Sequence, residues 1–249
     1  MIKAIIFDLD GTLVQTEPLK CLAYARAALE LSSDSLSREE VAQACQDLIG
    51  VSDAETALTL IQRFRLEDAA QARMAELGVD TSWQAFMEMQ MRIYNQMVDD
   101  PGVLRREQLP HNIALLHEAR QNGYKTALAT LSSREQTSRL LGMLGLSGAF
   151  DFVATQDDVK RPKPDPEIYQ LVAQELTIHP SECLVLEDSP TGVGAALAAG
   201  MWCIAVPSSL TSQAVHAAGL LDKRWIVDDP ATVKAVVQRM IAEQQLNNS

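Results

Sequence analysis

The chain has 249 residues, of which 47% are hydrophobic, and its formal net charge is -12. This length is long for one average domain, so the first expectation is one domain that carries an insertion. The negative charge is spread along the sequence without a basic cluster, which argues against nucleic acid or an anionic membrane surface as the partner.

The cysteines and the amino terminus indicate where in the cell the protein is expected to be found. The four cysteines, at positions 21, 45, 183 and 203, are irregularly spaced in a chain too large to need disulfides, so they are predicted to be reduced core thiols. The apolar amino terminus reaches Asp8 and Asp10 too soon to form the hydrophobic region of a signal peptide. The longest apolar stretch, residues 192–207, contains three glycines and is shorter than the roughly 20 residues of a membrane-spanning helix. The sequence therefore predicts a cytoplasmic location.

The first hundred residues divide into one strand and a long helical block. Residues Lys3 to Leu9 form an apolar run that ends at a turn, as expected for a strand that is covered on both faces. From about Pro18 to Asp100 the apolar residues recur at helical spacing, and Ser37 with Glu40 resembles a capping box. The block is predicted to be a bundle of about four helices, including helices over residues 53–77 and 83–97.

After Asp99-Asp100-Pro101-Gly102, the pattern changes to alternating helices and strands. Predicted strands are 126–130, 152–154, 183–186, 203–206 and 225–227, and predicted helices are 112–121, 134–144, 166–175, 191–199 and 231–244. This alternation predicts an α/β fold with a doubly wound parallel sheet. Residues 1–15 and 102–249 are expected to form the α/β core, and residues 16–101 an inserted helical domain.

Polar residues follow several predicted strands, at the edge where sheets of this kind bind ligands. These residues are Asp8 and Asp10, Thr130, Lys163, and Glu187 with Asp188. Two carboxylates separated by one residue repel each other and are costly to bury unless a cation or a proton resolves the conflict. Several acidic oxygens beside a single lysine favour Mg²⁺, which prefers oxygen ligands.

The remaining polar groups favour an anionic substrate. Thr130 is followed by Leu131, Ser132 and a predicted helix, so hydroxyls and backbone amides at a helix start can bind an anion. Lys163 lies in a proline-rich loop before another helix, where its ammonium can hold a phosphate oxygen. Metal, lysine and amides together would let an anionic nucleophile approach phosphorus. The sequence therefore predicts phosphoryl transfer through an aspartyl phosphate.

Four short segments resemble, in order, the motifs of the haloacid dehalogenase superfamily. They are Phe-Asp-Leu-Asp-Gly-Thr-Leu at 7–13, Leu-Ala-Thr at 128–130, Lys-Pro-Asp-Pro at 163–166 and Leu-Glu-Asp-Ser at 186–189. The resemblance spans nearly the whole chain and implies a Rossmann-like core. It further implies that Asp8 is the nucleophile and Asp10 the general acid and base. The implied Mg²⁺ ligands are Asp8, the Asp10 main-chain carbonyl, Glu187 and Asp188. The residues expected to bind the substrate phosphate are Thr130, Leu131, Ser132 and Lys163.

The helical insertion resembles the small C1-type cap of the phosphatase and β-phosphoglucomutase branch of that superfamily. Caps of this kind close over the active site, exclude water and determine much of the substrate specificity. Residues 48–56 resemble the cap loop that reaches the substrate, and the resemblance places Gly50 among the substrate-binding residues. The sequence departs from β-phosphoglucomutase at two positions: Asp53 stands where that enzyme has an arginine for the distal phosphate, and Lys20 where it has a histidine.

The sequence therefore predicts a magnesium-dependent phosphatase that hydrolyses a small phosphorylated metabolite, such as a sugar phosphate or phosphoglycolate. The first alternative is intramolecular phosphoryl transfer of the phosphoglucomutase type. A carbon–halogen hydrolase would use Asp8 but not the metal, so Asp10 and the pair Glu187–Asp188 argue against it. A catalytically silent binding module is the non-enzymatic alternative. The sequence leaves open the exact substrate and whether the chain is a monomer or a dimer.

Overall fold

The chain folds into two compact units. The computed structural model describes residues 1–32, 36–49 and 53–247. Met1–Gln15 and Glu107–Ser249 form one unit, and Thr16–Arg106 form the other. We call them the α/β unit and the helical unit. The two chain segments that leave and re-enter the α/β unit lie side by side, because the Gln15 amide donates to the Glu107 carbonyl at 2.8 Å.

The helical unit is built from more helices than its sequence predicts. In chain order they are α1 Glu17–Leu31, α2 Arg38–Gln46, α3 Asp53–Phe64, α4 Glu67–Leu77, α5 Ser82–Val98 and α6 Pro101–Glu107. The predicted helix over residues 53–77 is two helices, because Arg65 adopts a left-handed φ of 55° between α3 and α4. Pro101 begins α6, as its fixed φ favours in a first turn. The prediction of about four helices was therefore too low.

Two cysteines of the helical unit correct a sequence prediction. Cys21 in α1 and Cys45 in α2 form a disulfide, with 5.4 Å between their Cα atoms. The prediction of four reduced thiols was wrong for this pair. Spacing along the sequence does not reveal cysteines that are brought together when two helices pack against each other, as α1 and α2 do. Cys183 and Cys203 are free and buried, as predicted.

The α/β unit contains a parallel sheet of five strands within the described residues, in the order β3-β2-β1-β4-β5. The strands are β1 Ala4–Phe7, β2 Lys125–Ala129, β3 Phe152–Ala154, β4 Cys183–Glu187 and β5 Trp202–Ala205. The central strand β1 pairs with β2 and β4, and Phe7 lies opposite both Leu128 and Leu186. This register brings the carboxyl ends of three strands to one edge, so the residues that follow them meet there.

Helices alternate with strands β2 to β5, as the pattern predicts, and two more helices follow β5. They are α7 Pro110–Gln121, α8 Arg134–Met143, α9 Glu167–Leu176, α10 Pro190–Ala198, α11 Ser212–Ala218 and α12 Val233–Asn247. The predicted strand over residues 225–227 was wrong: Ile226 makes an isolated bridge with Ala205 after a short 3-10 turn. Helix α11 was missed because seven residues are too few to display helical periodicity. The α/β fold class with a parallel sheet is otherwise confirmed.

None of the helices in residues 1–32, 36–49 and 53–247 has both the length and the apolar character needed to cross a bilayer.

The disulfide generates a prediction about stability. It closes a loop between residues 24 positions apart, which in the chain-entropy treatment stabilises the fold by about 3 kcal/mol. We expect a reducing agent to lower the free energy of unfolding of the wild-type protein by that order, as measured by urea denaturation. The Cys45→Ser variant should start from the lower value and show no response to reductant. Alkylation under denaturing, non-reducing conditions that labels four thiols in the native protein would contradict the pairing.

Candidate active site

Lys163 lies at the centre of a buried cluster at the carboxyl edge of the sheet. Its Nζ donates hydrogen bonds to Asp8 Oδ1 at 2.8 Å, to Glu187 Oε1 at 2.6 Å and to the Ala129 carbonyl at 3.0 Å. Three acceptors match the three donors of an ammonium group. The side chain is 3% exposed, and burial alone would lower the pKa of Lys163. The Asp8 and Glu187 carboxylates outweigh that effect and raise the pKa above its ordinary value, so the cluster contains a fixed positive charge.

The position of Lys163 follows from the chain around it. The lysine precedes α9, and its peptide bond to Pro164 is cis. Its acceptors come from the ends of three adjacent strands: Asp8 follows β1, Ala129 ends β2 and Glu187 ends β4. Lys163 therefore connects three strands that are distant in sequence.

Three carboxylates lie close together around this lysine. Asp8, Glu187 and Asp188 are all buried, and one oxygen from each lies within 4.8 Å of the others. Burial is the largest cause of a raised pKa at Asp8; Lys163 opposes it, and the Glu187 and Asp10 charges add to it. Buried carboxylates this close together are stabilised by a further cation, and hard oxygen donors suit a divalent metal.

The Glu187 carboxylate is surrounded by donors. Its Oε1 accepts from Lys163 and also from the Tyr169 hydroxyl, at 2.8 Å. Its Oε2 accepts from the Asp188 amide at 3.1 Å, and from the amide and the hydroxyl of Ser189 at 3.3 and 3.1 Å. Ser189 also caps α10, because its Oγ accepts from the Gly192 amide. Glu187 is thereby fixed by the start of α10 on one side and by α9 on the other.

Asp10 is held by the loop that follows β2. Its Oδ2 accepts from the Ser132 hydroxyl at 2.6 Å and is 3.4 Å from Thr130 Oγ1. The Ser132 amide donates to Thr130 Oγ1 at 3.1 Å, which makes the loop compact. Leu131 lies between these residues with a half-buried side chain. Unlike Asp8, Asp10 is only partly buried, so it remains accessible for proton exchange.

The loop after β2 leads directly into α8. Ser133, the residue after Ser132, is the N-cap of α8 and forms a capping box with Gln136. Helix starts of this kind present backbone amides to anions. Thr130, Leu131 and Ser132 are thus placed before a helix start and beside Asp10, at the carboxyl edge of the sheet. Gly50, the remaining predicted substrate-binding residue, lies outside the described residues.

Two glycines allow the acidic side chains to occupy their positions. A Cβ on Gly11, which has a positive φ of 79°, would lie 2.1 Å from Asp188 Oδ2. A Cβ on Gly192 would lie 1.9 Å from Glu187 Oε1. Neither carboxylate could keep its place beside a larger residue.

Sequence reasoning missed three residues of this cluster. Tyr169 was not singled out, although it follows Lys163 by six positions on the helix that the lysine loop begins. Thr211, which donates to Asp188 Oδ2 at 3.3 Å, lies in a segment without a recognisable signal. Gly192 was not placed at the site, although a Cβ at this position would lie 1.9 Å from Glu187 Oε1.

Known proteins resemble this chain over most of its length. A family model described as haloacid dehalogenase-like hydrolase matches residues 2–200. A phosphorylated carbohydrates phosphatase from Thermotoga maritima is 32% identical over 200 residues, which cover 80% of this chain and 82% of that protein. Hexitol phosphatase A from Escherichia coli is 31% identical over 204 residues, 82% of each chain. The crystal structure of a protein from Thermotoga maritima, titled as a putative β-phosphoglucomutase, superimposes with a TM-score of 0.71 at 28% identity and covers 96% of this chain and 99% of its own.

The glycine at position 192 generates a prediction. Replacing Gly192 with alanine should displace the Glu187 carboxylate and lower the free energy of unfolding by roughly 1–3 kcal/mol, the usual cost of overpacking. Gly194→Ala is the matched control, because it adds the same methyl group to the same helix and its Cβ would meet Pro164 and Leu220 at ordinary contact distances of 3.7 and 3.9 Å. The control should be neutral or slightly stabilising, as is usual for removal of a helical glycine. Equal stability of the two variants in urea denaturation would show that Glu187 does not need this space.

Proposed function

The chain belongs to the haloacid dehalogenase-like hydrolase family, and from this premise we propose that it is a Mg²⁺-dependent phosphatase of small phosphorylated metabolites, with sugar phosphates as the substrate class. The observation that carries the proposal is the buried group of Asp8, Glu187 and Asp188, in which the Lys163 ammonium binds Asp8 and Glu187. Such a group concentrates negative charge where a metal ion is needed and places one fixed positive charge beside a potential nucleophile. Both features suit attack on a phosphoryl group.

Asp8 is the proposed nucleophile. Its Oδ1 is held by Lys163 at 2.8 Å, which fixes the orientation of the carboxylate. The oxygen attacks phosphorus, the bond from phosphorus to the leaving alcohol oxygen breaks, and the phosphoryl group becomes covalently attached to Asp8. The Lys163 ammonium is then close enough to stabilise negative charge on the transferred group.

Asp10 is the proposed general acid and base. Its hydrogen bond with the Ser132 hydroxyl and its contact with Thr130 keep the carboxyl group in one orientation beside the cluster. In the first step Asp10 gives a proton to the departing alcohol, and in the second it accepts a proton from the water that cleaves the aspartyl phosphate. Its partial exposure suits a group that must exchange protons twice in each cycle.

The donor set fits a divalent ion. Asp8 and Asp188 with the Asp10 main-chain carbonyl would hold Mg²⁺, and Glu187 completes the acidic group around it. When bound, the ion neutralises charge on the phosphoryl oxygens, so that an anionic nucleophile can approach. The hydroxyls of Thr130 and Ser132 and the backbone around Leu131 are proposed to hold the remaining phosphate oxygens.

The choice of substrate class is supported by the relatives. The names of the Thermotoga and Escherichia proteins specify phosphorylated carbohydrates and hexitols, and each protein covers about four-fifths of this chain. We propose that the helical unit is the cap that selects the substrate. Asp53 at the start of α3 adds negative charge where β-phosphoglucomutase has an arginine, which disfavours a second phosphate and therefore disfavours the mutase reaction.

The proposed nucleophile can be tested by one substitution. Asp8→Asn should lower phosphatase turnover at saturating Mg²⁺ by at least about 1,000-fold, because an amide cannot accept the phosphoryl group. Incorporation of labelled phosphate into the protein should disappear with it. Asp222→Asn, a change of the same type at an exposed site in the α/β unit, should leave both measurements unchanged. Retained Mg²⁺-dependent turnover in Asp8→Asn would remove Asp8 from its proposed role.

The hydrolase and mutase alternatives differ in their products. With glucose 1-phosphate as substrate, we expect inorganic phosphate and glucose in equal amounts. A mutase would instead produce glucose 6-phosphate without a matching release of phosphate. Phosphorus NMR of the reaction mixture distinguishes the two outcomes, and a hexitol phosphate tested in parallel measures the activity if glucose 1-phosphate is a poor substrate.

A further inference from the structure

We infer that Tyr169 is a positioning residue that holds Glu187 as the partner of Lys163, so that Glu187 supports the site without binding the metal ion directly. This inference rests on the proposed function. Glu187 belongs to the same acidic group as Asp8 and Asp188. Without the hydrogen bond from Tyr169, Glu187 would be free to turn from Lys163 towards a cation that enters this group.

The number of donors around Glu187 supports this role. A carboxylate offers about four lone-pair positions. Glu187 receives hydrogen bonds from Lys163, Tyr169, the Asp188 amide, and the amide and hydroxyl of Ser189. The carboxylate is thus fully occupied by donors from the protein. Direct metal ligation would require it to give up at least one of these bonds in a buried site, where an unpaired donor is costly.

Tyr169 fixes the side of Glu187 that also binds Lys163. The tyrosine hydroxyl and the lysine ammonium both donate to Oε1, at 2.8 and 2.6 Å. The ring is fully buried, and Lys163 Nζ lies 5.1 Å from its centroid, within the range of a cation–π interaction. A single side chain therefore contacts both members of the charged pair. Phenylalanine would preserve the ring but not the hydrogen bond.

The opposite side of Glu187 is fixed by backbone. The start of α10 contributes the Ser189 amide, and the position of Gly192 leaves no room for a Cβ beside the carboxylate. Because both sides are closed, the Glu187 carboxylate has one orientation, directed at Lys163. Lys163 in turn orients Asp8, so the hydroxyl of Tyr169 acts on the nucleophile through a chain of three hydrogen bonds.

The experiment compares four single variants and one double variant. Tyr169→Phe should lower kcat roughly tenfold, the size expected for a lost hydrogen bond to a buried charged group, with less than a threefold change in KM and in the Mg²⁺ concentration for half-maximal activity. Glu187→Gln should lower kcat at least as much and also leave the Mg²⁺ requirement within threefold. Asp188→Asn should instead raise the Mg²⁺ requirement more than tenfold. Tyr124→Phe, which removes a hydroxyl elsewhere in the α/β unit, should behave as the wild type.

The double variant tests whether Tyr169 acts through Glu187. Combined with Glu187→Gln, the Tyr169→Phe change should cause no further loss of kcat, because its partner is already altered. Additive losses in the double variant, or a kcat for Tyr169→Phe within twofold of the wild type, would overturn the role of Tyr169. A purely structural role would instead appear as a lower melting temperature with unchanged kcat per folded molecule.

Calorimetric titration with Mg²⁺ separates this inference from the proposed function, because it does not depend on turnover. We expect Glu187→Gln to bind Mg²⁺ within threefold of the wild-type affinity and Asp188→Asn to bind it more than tenfold more weakly. A loss of affinity in Glu187→Gln equal to that in Asp188→Asn would show that Glu187 is a ligand and would overturn the inference. Failure of the wild type to hydrolyse phosphate esters would instead count against the proposed function.

Discussion

The ion pair between Lys163 and two buried carboxylates is the constraint on which the site depends. The lysine side chain is 3% exposed, while the side chains of Asp8 and Glu187 are 9% and 1% exposed. Removing any one partner would leave a buried charge without compensation, which is among the costliest changes in a protein interior. The lysine therefore determines how closely the carboxyl ends of β1, β2 and β4 must approach. It also leaves the acidic group with more negative than positive charge, which favours a divalent cation.

The parallel sheet, two glycines and two helix starts together allow the fold to bury this ion pair. A parallel sheet brings strand ends together, and glycines at positions 11 and 192 allow backbone to approach carboxylates closely. Residues at the starts of α8 and α10 bind the acidic side chains: the Ser132 hydroxyl donates to Asp10, and the Ser189 amide donates to Glu187. Ser189 thus serves twice, because its hydroxyl caps the start of α10 and also donates to Glu187, whereas at α8 the cap is Ser133 and the neighbouring Ser132 binds Asp10. Asp8 and Asp10, the proposed nucleophile and proton donor, lie on one short turn after β1 in different environments, one buried and one partly exposed.

The sequence allowed the core strands to be predicted because each is a short apolar run that ends in polar residues. All five strands of the sheet in the described residues were predicted to within two residues of their observed bounds, and the alternation with helices indicated a parallel sheet. It could not reveal contacts that depend on packing between distant segments. The disulfide between Cys21 and Cys45 and the hydrogen bond from Tyr169 to Glu187 are of this kind. The break at Arg65 was missed for a different reason: a left-handed residue other than glycine has no clear sequence signal.

Glu187 and Asp188 are adjacent in sequence and their carboxylate oxygens lie within 4.8 Å of each other, but they have different hydrogen-bond partners. Glu187, the last residue of β4, is directed at Lys163 and Tyr169, whereas Asp188 lies against Gly11 and accepts from Thr211. The motif Glu187–Asp188 therefore supplies two carboxylates that can serve different purposes. In the proposed function, Glu187 stabilises the lysine that orients the nucleophile, and Asp188 is available to the metal ion. Two acidic residues that are adjacent in sequence and close in space therefore need not both be metal ligands, because their hydrogen-bond partners differ.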